Sequence, residues 1–190
     1  MNLHIDSEEY SQRINKLRTL IEAEGLDVFI AGTVDNTYYL SALDYRPYER
    51  VFLVVVPLRD EPFLFVPKLE EEHAKQVSSI ADVRSYSEYP AKAGQDWFVL
   101  LREYLKDYNN IGIESSLPIG VAQSIHGLEN DTRVIDLVEQ LRIVKSPKEV
   151  EKIRFASKVA DKIAKRLLKN SKEGAPLLSI IAPVSQELYS

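Results

Sequence analysis

The sequence holds no cysteine. That excludes a disulfide framework, a thiolate zinc site, an iron–sulfur cluster and a thiol nucleophile. Its single methionine is Met1, and only 3 histidines occur: His4, His73 and His126. A zinc centre needs three or four ligands converging on one point, and these three lie far apart in the chain. Local pairing is open only to His73 with Glu70 or Glu72, on a stretch that reads as a solvated helix face. No G-x-S-x-G, no G-x-G-x-x-G behind a strand, no phosphate-binding P-loop and no H-E-x-x-H is present. Long apolar runs are missing too. The longest, 51–58, has the length of a strand, well short of the ~18 residues of a membrane span. The opening M-N-L-H-I-D-S-E-E-Y has neither a basic n-region nor an apolar h-region, so the expectation is a cytoplasmic protein without a secretory signal or membrane segment.

What remains is ordinary globular material. The chain has 190 residues, 45% hydrophobic and 28% charged, with 7 Gly and 9 Pro. A chain of that length buries roughly 70% of its unfolded surface and needs no covalent or metal staple. The net charge of −5 is unevenly placed: residues 139–173 hold 11 of the 24 Lys+Arg and 5 of the 29 Asp+Glu, a local +6 against −11 elsewhere. A basic segment can bind phosphates. No stacking aromatics interleave this one, so a solvated or docking helix face is preferred and nucleic-acid binding is not expected.

Periodicity organises the chain. Tyr10, Ile14, Leu17 and Ile21 fall on one face of a helix over 7–24, capped by Asp6 with Glu9 and ended by Gly25. Residues 26–31 form a short apolar strand. Residues 33–39 read as a polar loop leading into a short helix, and Tyr45 to Arg50 as an aromatic- and Arg-rich loop. Two β-branched or aromatic runs, 51–57 and 63–66, predict an antiparallel hairpin. Then come a polar helix over 69–77, a strand over 82–86, a helix over 95–107, the strand N-I-G-I-E (110–114), a helix from Pro118 to Gly127 and a strand over 133–136. Strands alternating with helices, interrupted by one hairpin, predict a three-layer α/β/α domain on a mixed sheet of five or six strands. Beyond it, Ser146-Pro147-Lys148-Glu149 carries the cap, the first-turn proline and the reciprocal Glu of a helix start. An apolar stripe then runs from Val150 to Leu167. Residues 174–190 begin another apolar segment, as though the chain were cut off inside a further domain.

No catalytic constellation emerges from the residues. Asp35, Asp44, Glu114 and Asp136 stand near strand ends, but a single sequence pairs none of them, and Asp136 also suits a helix cap. The Tyr45–Arg50 loop alone is equipped for recognition. Arg46 and Arg50 can grip a carboxylate, and Tyr45 and Tyr48 can pack on an apolar ligand or an interface. A surface loop tied down by its aromatics explains the same residues.

R-I-N-K-L-R-T-L-I-E-A-E-G-L-D-V-F-I-A (13–31) followed by D-N-T-Y-Y-L-S (35–41) resembles the opening of the creatinase/prolidase/aminopeptidase P family. N-I-G-I-E is similar to its later strand. V-I-D-L-V-E-Q-L-R-I-V-K-S-P-K-E-V-E-K-I-R-F-A-S (134–157) resembles its linker and the first helix of its catalytic domain. The resemblance implies a creatinase-type, ribonuclease H-like N-terminal domain over 1–137, a linker over 138–146, and over 147–190 the start of an absent pita-bread catalytic domain. It implies a noncatalytic part of an Xaa-Pro metallopeptidase, prolidase or aminopeptidase P, that serves dimerisation and shapes substrate access. The two divalent metals of the family, manganese, cobalt or zinc, and its proline-containing peptides would belong to the full-length protein. No metal ligand or catalytic residue is assigned in this chain. By resemblance Tyr45, Arg46, Tyr48 and Arg50 form the substrate-proximal loop of a homodimer. Where the family often has Y-L-[ST]-G, this chain has Tyr39-Leu40-Ser41-Ala42. A self-sufficient binding module is the alternative.

Overall fold

The computed structural model describes residues 5–46, 48–88, 94–126 and 130–188. They divide into two compact units, Ile5–Val144 and a second beginning at Lys145. The end of the 118–127 helix at Gly127 falls outside the described residues, as do His4 and Pro47.

In the first unit, one mixed sheet runs in the order β4-β3-β2-β1-β5-β6. Its strands are β1 (Val28–Ala31), β2 (Leu53–Pro57), β3 (Phe63–Pro67), β4 (Asp82–Tyr86), β5 (Asn110–Ile113) and β6 (Asp131–Val134). β1 and β3 each pair antiparallel with β2, which is the expected hairpin and its return; β1–β5, β5–β6 and β3–β4 are parallel. The central strands β1, β2 and β3 are buried throughout. Their side chains alternate between two cores, as the pleat demands. Phe29, Ala31, Val54, Val56, Leu64 and Val66 face one layer; Val28, Ile30, Leu53, Val55, Phe63 and Phe65 face the other. The first layer is α1 (Ser7–Ala23), α2 (Val34–Ser41), α3 (Glu71–Val77) and α6 (Leu137–Ile143). The second is α4 (Trp97–Leu105) and α5 (Ile119–His126). The three-layer α/β/α expectation holds, with six strands.

α1 follows its sequence signals. Asp6 accepts a hydrogen bond from the Glu9 N–H at 2.9 Å, and Gly25 takes the left-handed conformation at φ 66. One charged side chain enters its buried face. Arg13, 4% exposed, lies between the rings of Tyr10 and Tyr39, 5.0 and 4.2 Å from their centroids. It donates to the Tyr39 carbonyl at 2.9 Å and to Glu9 Oε1 at 2.6 Å, so a paired guanidinium pins α1 to α2.

Three stretches differ from expectation. Residues 33–39, expected as a loop leading into a short helix, already lie in helix α2 from Val34 on. The last strand is Asp131–Val134, two residues earlier than 133–136. Residues 138–143, read as part of a connecting segment, lie in α6 (Leu137–Ile143), whose Leu137 and Val138 enter the core.

In the second unit, α7 (Pro147–Asn170) opens with the full capping box between Ser146 and Glu149. α8 (Leu177–Leu188) contains Pro183 and packs on α7. No described helix is long and apolar enough to cross a membrane.

Gly112 in N-I-G-I-E has a packing reason. A Cβ there would lie 2.6 Å from Leu26 Cδ1 and 2.9 Å from Phe29 Cδ2, both on buried side chains of the sheet's first core. Gly112→Ala is therefore expected to lower unfolding free energy by about 1–3 kcal/mol, read as a lower urea midpoint at unchanged slope.

Candidate functional site

The site starts where β1 ends. Gly32 and Thr33 turn the chain into α2, and the two N–H groups at that turn point at one buried carboxylate. Glu114, 1% exposed, follows β5. Its Oε1 accepts from Gly32 N at 2.8 Å and Thr33 N at 2.5 Å, and its Oε2 accepts from Asn36 Nδ2 at 2.6 Å. Thr33 stands at the N-cap of α2 without a side-chain cap bond, so Glu114 fills the capping role from another strand, where the helix dipole also favours negative charge. Asn36 uses its second amide hydrogen on Glu139 Oε1 at 2.7 Å, and its own oxygen accepts from Arg142 Nη1 at 2.7 Å. Arg142 also lies 3.4 Å from Asp35 Oδ2. The first turn of α2 is thus held by β5 on one side and α6 on the other.

Past α2 the chain reverses through Ala42, which takes the left-handed conformation at φ 65 as the helix C-cap. An alanine therefore carries the backbone geometry that suits a glycine at this position. The Tyr45–Arg50 loop follows. Tyr45 turns inward, its ring stacked on Phe52 at 4.7 Å. Arg50 donates to Tyr45 Oη at 3.4 Å and pairs with Glu88 at 2.9 Å through Nε. Tyr86 Oη accepts from Val51 N at 3.0 Å and donates to Val51 O at 3.2 Å, fixing the loop's far end. Burial pushes the Tyr86 hydroxyl up to about 12. Arg46 is exposed, and Tyr48 is 89% exposed at φ 53.

These pieces line a cavity of about 550 Å³ that is open to solvent. Gly32 to Asp35 form one wall, Arg46, Tyr48 and Arg50 the rim, Val51 to Leu53 the floor, and Pro118 and Val121 the side facing α5. Three of the four residues expected from the sequence, Arg46, Tyr48 and Arg50, meet here, while Tyr45 supports the loop from beneath. The cavity lies beyond the carboxyl ends of β1 and β5, a usual ligand position in open α/β sheets. Two guanidiniums over an apolar floor suit a small molecule with a carboxylate and an apolar body.

Of the four carboxylates noted near strand ends, Glu114 and Asp35 are joined through Asn36 and Arg142. Asp136 instead accepts from Ser115 N at 2.8 Å, and Asp44 is exposed. His126 ends α5, and His73 lies near Tyr45, ring centroids 6.3 Å apart. Sequence reasoning missed Asn36, Glu139 and Arg142. The available signal was a Glu closing the apolar strand N-I-G-I-E, a position that points inward.

Burial raises the Glu114 pKa above the ordinary carboxylate value, an effect offset in part by Asn36 and the Gly32 and Thr33 N–H groups and reinforced by the Glu139 charge. A carboxyl whose pKa is raised by folding stabilises most below its unfolded value, about 4.3, and that contribution is lost as pH rises through the folded value. Glu114→Gln should remove this decline, flattening unfolding free energy against pH above about 4. It should also cost about 1–2 kcal/mol at neutral pH, because an amide NH₂ then faces the Asn36 donor. Chemical denaturation across pH measures both. Ala42→Gly should raise stability by about 0.5 kcal/mol, relief of the left-handed strain outweighing added unfolded-state entropy.

The sequence profile of the creatinase/prolidase N-terminal domain matches residues 13–144. The Xaa-Pro dipeptidase of Pyrococcus horikoshii is 27% identical over 177 residues, covering 92% of this chain and 46% of the relative. That of Pyrococcus furiosus is 29% identical, covering 91% and 47%. The chain thus spans about half the length of the curated relatives it matches. The crystal structure of the prolidase from P. horikoshii superposes with a TM-score of 0.75 at 24% identity, over 94% of this chain and 48% of that one. The creatinase/prolidase N-terminal domain of an Xaa-Pro dipeptidase from Streptococcus pyogenes superposes at 0.57 with 20% identity, over 65% of this chain and 99% of that one. With the profile spanning most of the α/β unit, the chain belongs to the creatinase/prolidase N-terminal domain family.

Proposed function

We propose that this chain is the noncatalytic N-terminal part of an Xaa-Pro metallopeptidase of the dipeptidase type, which builds a homodimer and shapes the entry of proline-containing peptides in the cytoplasm. The match over residues 13–144, with relatives twice as long, carries this reading. In it, residues 1–137 are the scaffold, 138–146 the connection, and 147–190 the opening of the catalytic half. The family resemblance implies a pair of divalent metals. The described residues of this chain do not fit them, because no three His, Asp or Glu side chains converge. In this reading the metal ligands are supplied by the catalytic half of the enzyme.

The loop's part is recognition. Arg46 and Arg50 offer guanidiniums to a peptide carboxylate, Tyr48 adds an aromatic face, and Tyr45 anchors the loop to the core. Arg50 is held by Glu88 and Tyr45, so Arg46 and Tyr48 are the adjustable contacts.

This chain, supplied with manganese and Ala-Pro, should show no turnover; clear hydrolysis would overturn the reading. Residues 1–144 fused to the N-terminus of the catalytic half of the P. horikoshii enzyme should support hydrolysis. In that hybrid, Arg46→Ala should raise KM for Ala-Pro about tenfold with kcat less affected, the mark of lost binding common to ground and transition states. An unchanged KM would remove the loop from substrate access.

A further inference from the structure

We infer that a second cavity of the α/β unit, between the end of β4 and the start of α4, binds a small organic cation, an alkylammonium or alkylguanidinium. This site goes beyond the recognition reading above and does not depend on it.

The cavity measures about 410 Å³ and is open to solvent, and every described residue lining it belongs to the α/β unit. That volume admits a ligand of amino-acid size. Arg50 and Val51 also line the first cavity, but the chemistry here is opposite. Glu49, Glu88 and Asp96 bring carboxylates to Arg50 and its one guanidinium. Glu88 already holds Arg50, Oε1 to Nε at 2.9 Å. Asp96 is the N-cap residue of α4, where an aspartate usually accepts from the first turn. Its side chain makes no cap bond, and its carboxylate stands in the cavity wall instead. No ion pair engages Glu49 or Asp96 among the described residues.

The sign of the charge selects the class of ligand. Three carboxylates against one guanidinium leave a net −2. The N-terminus of α4 adds about +0.5 elementary charge, too little to reverse it. Aromatic faces complete the site. Trp97 is half-buried and Phe98 is 44% exposed. Their rings meet edge to face, centroids 5.9 Å apart at 85°, so the ring that gives its edge keeps both faces clear of the other. A cation gains from ring faces and carboxylates together. A neutral body of the same size gains only apolar contact, and an anion is repelled.

Trp97 is the single tryptophan of the chain, so its emission reports this cavity directly. Titration of the 190-residue chain at constant ionic strength with n-butylammonium, n-butylguanidinium, n-butanol and butyrate varies the head group on one body. The expected result is a saturable emission change with a cation, about fivefold or more tighter than with n-butanol, and none with butyrate. Binding of either cation supports the inference, and the tighter one names its head group. Glu49→Gln with Asp96→Asn should weaken cation binding about fivefold or more and leave n-butanol unchanged. Asparagine keeps the capping preference of aspartate and Glu49 is exposed, so circular dichroism should be preserved. Equal affinity for n-butanol and the cations overturns the inference. Tighter binding of butyrate does so too, marking an anion site built on Arg50 and the start of α4. Cation binding untouched by the double variant overturns it by moving the site elsewhere. Binding that appears only after Lys92→Ala gives the carboxylates to a cation of this chain and also overturns it. So does the absence of both an emission change and saturation transfer from the protein to n-butylammonium in NMR.

Discussion

A buried carboxylate organises the cavity end of the α/β unit. The turn from β1 into α2 leaves N–H groups at Gly32 and Thr33 with no partner in their own helix, a general problem of helix starts. The usual remedy is a local Ser, Thr, Asp or Asn cap. Here the acceptor is Glu114, from more than 80 residues further on. Because that acceptor follows β5, the capping of α2 depends on the pairing of β5 with β1. Asn36 then passes the constraint to Glu139 and Arg142 on α6. One polar chain thus sets the position of a strand end, the first turn of a helix and the last helix of the unit. The wall of the cavity is that same helical turn. The arrangement is costly. Two carboxylates share one amide, and Glu139 Oε2 is buried without a hydrogen-bond partner among the described residues. The cost is tolerable because the other buried polar groups of the cluster are paired, the condition under which such networks fix a single geometry.

The same constraint separates what was legible in the sequence from what was not. Elements that bury apolar stripes were legible: α1 through Tyr10, Ile14, Leu17 and Ile21, the β2–β3 hairpin through its β-branched runs, and α7 through its capping box. α2 was not, because much of the face it buries is polar. Asn36, Thr37 and Ser41 are buried together with Tyr39 and Leu40, and a hydrophobic period cannot register a helix whose inner face is partly amide and hydroxyl. β6 slipped for a related reason. It is an edge strand with its two end residues exposed, so no buried face pinned its register. α6 inserts only Leu137 and Val138 into the core, too little for a periodic signal. The Glu114 cluster joins residues 78 to 106 apart, a pairing no local pattern encodes.

The frame also limits the Tyr45–Arg50 loop. Its entry is fixed by Ala42 in the left-handed region and by Tyr45 stacked on Phe52. Its exit is fixed by two hydrogen bonds between Val51 and Tyr86, and Arg50 is tied to Glu88. The freedom that remains belongs to side chains, chiefly Arg46 and Tyr48 at the rim. Ordering two side chains costs far less conformational entropy than ordering a whole loop, which is what the proposed recognition of a carboxylate would require here. The rim is held by the sheet: Val51 leads into β2, Tyr86 ends β4, and the opposite wall follows β1. A substitution deep in the strands can shift the guanidiniums without touching them, whereas a change at the exposed Arg46 leaves the frame intact. The scaffold and the contact are separable in this domain because Tyr45 faces the core while Arg46, exposed on the same loop, faces the cavity.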